Sequence, residues 1–187
     1  MRFPALDITR LAIRHQPINA HFCRDVTGFF PNIVSSLTPE APVANQMLAL
    51  RILCNAFNQS DGVQRLVALR EDVIGAGLLL QSSANKNVQI ALASVLLNYS
   101  VALGRAADLE ARSHCIIAAV TILESSKEPE ALFRLFVALG NLVHDSDEGR
   151  DLCTSMSLGA VLEEYAKRND LEQKVTDCAK SLARCLQ

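Results

Sequence analysis

The sequence predicts an all-α domain built from repeated helical units, and three observations carry that expectation. Hydrophobic residues make up 50% of the 187 residues but aromatics only 5%, with no Trp, so the interior must be packed from Leu, Ala, Val and Ile. Sheet proteins lean on β-branched and aromatic residues and need frequent Gly/Pro turns; here eight Gly and six Pro cluster between long apolar-periodic stretches. Third, the chain repeats itself. Leu-Cys-Asn at 53–55, Leu-Leu-Asn at 96–98 and Leu-Gly-Asn at 139–141 place an asparagine every 43 residues, and Leu182-Ala183-Arg184 continues the step with Arg184 in the asparagine position. Leu53, Leu96, Leu139 and Leu182 therefore share one repeat position.

A period of about 40–47 residues is that of armadillo and HEAT helical repeats, and it also fits WD40 blades of four short strands. The repeat cores decide between them. In Ala44–Phe57, the apolar residues Met47, Leu48, Leu50, Ile52, Leu53 and Phe57 return to one broad helical face, and Asn87–Tyr99 and Pro129–Val143 do the same. An armadillo-like solenoid follows: one domain over 1–187, with repeat cores near 44–58, 85–101, 128–144 and 171–186. Stacked repeats bury each other's faces and need atypical ends. Residues 1–37 fit an N-terminal cap, and the degenerate last copy fits the other end.

Along the chain, helical patterns at Pro4–His15 and Asn19–Leu37 precede the first core. Pro42 marks its start and Asn58-Gln59-Ser60-Asp61-Gly62 its stop. Val63–Gln81 follows, then the second core with Asn85 or Asn87 as its cap and Gly104 as its stop. Ala107–Glu124 leads to the third core, which opens at Pro129, and Glu148–Arg168 leads to the last. Pro31, Gly75, Gly77, Gly149 and Gly159 are the residues expected to break some of these helices into the short-then-long pairs of armadillo repeats.

The formal charge of −2 excludes a global field pulling the chain toward nucleic acid or membrane. Through Arg105 there are nine basic against six acidic side chains, and beyond it nine against fourteen. That split is either the ordinary unevenness of a solvated surface or the trace of converging basic groups. No metal or cofactor site is expected: the six cysteines form no C-x-x-C pair and the four histidines lack ligand spacing relative to them. Most cysteines fall inside apolar helical patterns, where a thiol acts as a small hydrophobe in a reducing compartment. A Cys/His catalytic pair assembled in space is the enzyme alternative. With no export leader and no run of 18 apolar residues, the chain is expected to be soluble, cytoplasmic and nuclear.

An asparagine within an apolar helix costs helix propensity and, if buried without partners, about 1–3 kcal/mol. Two accounts explain three of them at one repeat position. Asn55, Asn98 and Asn141 either tie each repeat to the next as a buried ladder, or line a concave surface where each amide donates to and accepts from the backbone of an extended peptide. Arg51 lies four residues before Asn55 and Arg134 seven before Asn141, so each shares a helical face with its asparagine to within about 40°. Either these arginines are ion-paired with their stems packed, or they recognise carboxylates by bidentate hydrogen bonds. Lys86, at the entrance to the second core, adds a further cation.

A resemblance enters through the same residues. Phe3-Pro4-Ala5-Leu6-Asp7 leading to Arg10-Leu11, Ala44–Arg51 with Cys54-Asn55-Ala56-Phe57, Asn85–Ala93 with Leu97-Asn98-Tyr99-Ser100, and Phe133–Gly140 together resemble PUL domains over nearly the whole chain, in order. The resemblance implies an armadillo-like fold whose basic groove binds the C-terminal tail of the AAA ATPase valosin-containing protein, in ubiquitin-dependent degradation and trafficking. It implies that arginines on the groove wall carry the contact. Arg51 and Arg134 match those positions, with Arg10, Lys86 and Tyr99 as secondary ones. It implies no catalysis, and neither a serine elbow nor an H-x-x-x-x-D lipase pattern occurs. Family members of this kind carry a propeller and a ubiquitin-binding module upstream. These residues hold neither, so the chain is expected to be an excised domain or a departure from that architecture. The alternative to tail binding is a structural or dimerisation module that uses an apolar surface.

Overall fold

Repeated leucines that must all be buried need helices of matching phase, and that is how the backbone is arranged. The computed structural model describes residues 3–24, 28–104 and 108–187, and among these every regular element is a helix, with no strand. The chain is all-α with a helical repeat, and it divides into two compact units, residues up to Val95 and residues from Leu96.

The first unit holds α1 (Phe3–Ala12), α2 (Gln16–Cys23), α3 (Phe29–Val34), α4 (Val43–Ala56), α5 (Ser60–Ala68), α6 (Arg70–Leu78) and the start of α7 (Lys86–Leu103). The second unit holds the rest of α7, then α8 (Leu109–Ser125), α9 (Pro129–Val143), α10 (Asp147–Ser155), α11 (Leu158–Lys167) and α12 (Gln173–Cys185). The helices α4, α7 and α9 begin at successive 43-residue steps, at Val43, Lys86 and Pro129. They put Leu53, Leu96 and Leu139 in the interior, and α12 puts Leu182 there. Burying a leucine fully is worth about 1.5–3 kcal/mol relative to leaving it exposed, so this shared position is a main source of stability in every copy.

In the first unit α1 packs along α4, α2 against α5, and α3 against α4 and α6. Leu6, Ile13, Phe30, Ile33, Leu50, Ile52, Leu53 and Leu66 fill the space between them. Buried Gln46 fastens the loop that enters α4, donating from Nε2 to the carbonyls of Thr38 at 2.8 Å and Ala41 at 3.0 Å. At the exit of α4, α5 comes so close that a Cβ on Gly62 would stand 1.9 Å from the Ala56 carbonyl oxygen. Only glycine fits there. The same carbonyl accepts a 3.0 Å bond from Nδ2 of Asn19, which is wholly buried and also donates to the Ile13 carbonyl at 3.1 Å.

In the second unit α9 lies between α8 and α12, α11 packs on α12, and α10 touches α8, α9 and α11. Asp108 caps α8 by accepting from the Ala111 N–H at 2.9 Å, and Ser146 caps α10 through the Gly149 N–H at 3.0 Å. The carbonyls at the end of α9 are covered by guanidinium groups. Buried Arg112 donates from Nη2 to Leu142 at 2.7 Å and to His144 at 3.2 Å, and Arg150 donates to Val143 at 3.2 Å. Cations at a helix C-terminus satisfy both the orphan carbonyls and the helix dipole.

The connecting helices before the second and last cores break into pairs, but not where glycine suggested, and α8 runs unbroken. The α5/α6 break falls at Leu69, and Gly75 and Gly77 lie inside α6. The α10/α11 break falls at Met156 and Ser157, whose φ of 57° is left-handed, while Gly149 and Gly159 are helical. Pro31 sits in the first turn of α3, where its missing N–H costs nothing. Packing demands set these breaks; inside the helices a Cβ on Gly77 would stand 2.9 Å from Leu92 and one on Gly149 3.1 Å from Ser146, whereas Gly75 and Gly159 have open space beside them. The pattern expected across Asn19–Leu37 resolves into α2 and α3, with positions 25–27 outside the described residues, as is the expected start of the next helix at Ala107.

Candidate functional site

In the first unit, α4 carries Arg51 and Asn55 one turn apart. Arg51 is exposed, and no described side chain engages its guanidinium. Asn55 is half-buried and donates from Nδ2 to the Arg10 carbonyl at 2.7 Å. That bond has a local cause. At its C-terminus α1 tightens, so the Arg14 N–H goes to Leu11 and the Ile13 N–H to Thr9, leaving the Arg10 carbonyl open. Asn55 takes Arg10, Asn19 takes Ile13, and Gln59 takes Arg14 at 2.9 Å. Three side-chain amides thus cap one helix. The Arg10 guanidinium is paired with Asp7 of its own helix at 2.8 Å. Beside this knot opens a hollow lined by Leu11, Arg14, His15, Asn58 and Gln59.

On α7, Asn85 provides the cap, its Oδ1 accepting from the N–H groups of Asn87 at 3.0 Å and Val88 at 3.3 Å. This leaves Lys86 exposed at the first helical residue. Asn98 is half-buried. Tyr99 is 0% exposed and ranks among the largest buried side chains. Its ring supports the helix from inside, so it presents no surface to a ligand.

In the second unit Asn141 repeats the behaviour of Asn55. Its Nδ2 lies 3.1 Å from Oγ of buried Ser100 on α7, and that hydroxyl donates to the Leu97 carbonyl at 2.7 Å. Asn55 and Asn141 therefore both tie one repeat helix to its neighbour, as the ladder account describes. Their Oδ1 atoms have no described donor.

Arg134 is part-exposed and paired within α9: its Nε donates to Glu130 Oε1 at 3.0 Å and its Nη2 is 2.9 Å from the same oxygen. The other Glu130 oxygen accepts from Lys174 Nζ of α12 at 3.2 Å, and Lys174 also reaches Glu172 at 3.4 Å. The Arg134 hydrogen bond, then that of Lys174, holds the Glu130 carboxyl below its ordinary titration range. Sequence reasoning missed Glu130 and Lys174, although the signals existed. Glu130 stands one helical turn before Arg134, and Lys174 lies 44 residues beyond Glu130, close to one repeat step.

None of the six cysteines forms a disulfide. Cys115 and Cys153 are buried, whereas Cys185 is exposed and departs from the core placement expected of most of them. Burial pushes the thiols of Cys23 and Cys153 up to about 11 and raises that of Cys178, so these three are protonated and poorly nucleophilic at neutral pH. Among the described residues no helix is long and apolar enough to cross a membrane.

Comparison with known proteins fits this geometry. The PUL domain profile matches residues 1–181. A phospholipase A-2-activating protein of Xenopus laevis is 33% identical over 186 residues, which cover 98% of this chain and 23% of that protein. A ubiquitin fusion degradation protein 3 homolog of Caenorhabditis elegans is 31% identical over 105 residues, 54% of this chain and 12% of that protein. The chain thus spans less than a quarter of the length of these relatives, and over nearly all of its own length it belongs to the PUL domain family.

Proposed function

We propose that this domain is a non-catalytic adaptor, acting in the cytoplasm and nucleus, that binds the acidic C-terminal tail of the AAA ATPase valosin-containing protein. The observation that carries the reading is Arg51: an exposed guanidinium on a repeat helix, one turn from an asparagine and engaged by no described side chain. A solvated arginine at that place is open to a bidentate carboxylate contact. Arg134, held by Glu130 in the free protein, makes a second carboxylate contact. The Oδ1 atoms of Asn55 and Asn141 accept peptide N–H groups while their Nδ2 atoms hold the fold together, and Asn98 contributes at the matching position of α7. Lys86 and Arg10 add positive potential, and Tyr99 acts only by supporting α7. The ubiquitin fusion degradation relative supports a place in ubiquitin-dependent degradation, with propeller and ubiquitin-binding modules as companions in a longer protein.

Calorimetric titration with a synthetic copy of the ATPase tail tests this. A charge-assisted hydrogen bond contributes about 1.5–3 kcal/mol, so Arg51→Ala or Arg134→Ala weakens binding roughly ten- to a hundredfold. Affinity falls as salt rises, without vanishing. A folded Arg51→Ala/Arg134→Ala double variant that binds the tail unchanged overturns the proposal.

One observation favours a second reading, an apolar interaction surface. Ile8 and Leu11, adjacent on the outer side of α1, are 69% and 50% exposed, and Phe3 is 51% exposed. Under that reading the chain self-associates, Ile8→Asp abolishes the association seen by light scattering, and the arginine variants leave it intact.

A further inference from the structure

Glu130 offers one oxygen to each of two cations on neighbouring helices, Arg134 on α9 and Lys174 on α12. The Lys174 ammonium also stands 5.6 Å above the Phe133 ring, which fixes where it points. The side chains of Glu130, Arg134 and Lys174 are 34%, 32% and 48% exposed, so a ligand reaches them without unpacking the core. A guanidinium and an ammonium are thus set to share a single carboxylate, and the carboxylate now between them is the protein's own.

We propose that Arg134 and Lys174 form a two-point carboxylate clamp which Glu130 fills in the free protein, and that an acidic peptide binds by exchanging one of its carboxylates for that of Glu130. This deepens the adaptor reading and rests on it, adding Lys174 as a binding residue and Glu130 as an internal competitor. Part-exposed ion pairs contribute little net stability, so Glu130 leaves for solvent at small cost. The competitor lowers affinity for every acidic ligand and rejects those that cannot engage both cations at once.

Removing the charge of Glu130 while keeping its shape opens the clamp. NMR titration of the full chain with an alternating Asp-Gly octapeptide bearing a free C-terminal carboxylate measures the effect. Glu130→Gln is expected to bind about three- to tenfold more tightly than wild type, the size of one exposed charge-assisted contact. Lys174→Met, which keeps an apolar stem over Phe133, is expected to bind more weakly by a similar factor. Glu163→Gln removes a charge that among the described residues is paired only with Lys167 on α11 and is expected to change little. In wild type the Glu130 carboxyl, titrated by its carbon shift, moves up toward the ordinary range when the peptide saturates.

Equal affinities for Glu130→Gln and wild type, or an equal gain from Glu163→Gln, overturn the exchange. If the octapeptide binds and Arg134→Ala weakens it while Glu130→Gln gives no gain, the clamp proposal fails and the adaptor reading stands. If neither wild type nor Glu130→Gln binds the octapeptide or the ATPase tail, both fail together.

Discussion

Replacing Gly62 by alanine tests the junction that holds α1, α2, α4 and α5 in place, and the neighbouring Gly75 supplies a matched control. Both glycines are inside helices, so Gly→Ala brings the same intrinsic gain of up to about 1 kcal/mol. The surroundings differ. A Cβ at Gly75 meets nothing within 4 Å, whereas at Gly62 it stands 1.9 Å from the oxygen and 2.7 Å from the carbon of the Ala56 carbonyl, and 3.0 Å from Asn19 Nδ2. The obstacle is backbone, so α5 must move away from the end of α4. Overpacking of this kind costs about 1–3 kcal/mol. The shift also breaks the Asn19 bond to Ala56, and a buried amide left short of partners costs a further 1–3 kcal/mol. Against the propensity gain, Gly62→Ala is expected to lose about 2–4 kcal/mol and Gly75→Ala to gain about 0.5–1 kcal/mol. Urea unfolding followed by circular dichroism at 222 nm reads both. If Gly62→Ala unfolds at the wild-type urea concentration or above while Gly75→Ala is stabilised, the close approach of α5 to α4 is wrong.

Two further perturbations probe the second unit. Arg112→Met leaves the last carbonyls of α9 without their buried charged donor, and at about 1.5–3 kcal/mol for a charge-assisted bond it lowers the thermal midpoint by several degrees; an unchanged midpoint refutes the capping role. The Cys153 thiol ionises near 9.0 when exposed and near 11 in the fold. Above pH 9 the unfolded state therefore holds fewer protons than the native state, and stability falls as pH rises from 9 to 11. Cys153→Ala is less stable at neutral pH but shows a shallower loss over that window, and parallel pH profiles for the two proteins count against the assignment.

The sequence by itself determined the helical class, the 43-residue phase and the leucines that share it, because periodicity follows from backbone geometry alone. It also singled out Asn55, Asn141, Arg51 and Arg134 as residues needing an explanation, since polar groups within apolar helices must find partners. Which explanation holds for each was a matter of neighbours distant in the chain. Asn55 is committed through Nδ2 because α1 happens to leave the Arg10 carbonyl open beside it. Arg134 is paired, and no described side chain pairs with Arg51, because Glu130 precedes one by a turn and no acid takes that place for the other. Tyr99, beside Asn98 in sequence, faces the interior since one residue turns a helix by about 100°. The wrong sites for helix breaks have the same origin: glycine and proline state what a backbone tolerates locally, while Leu69 and Ser157 break where the next helix must turn to bury its own face. Tertiary structure alone decided the burial of Asn19 and Arg112, whose hydrogen-bond partners are carbonyls at helix ends that no local pattern reveals.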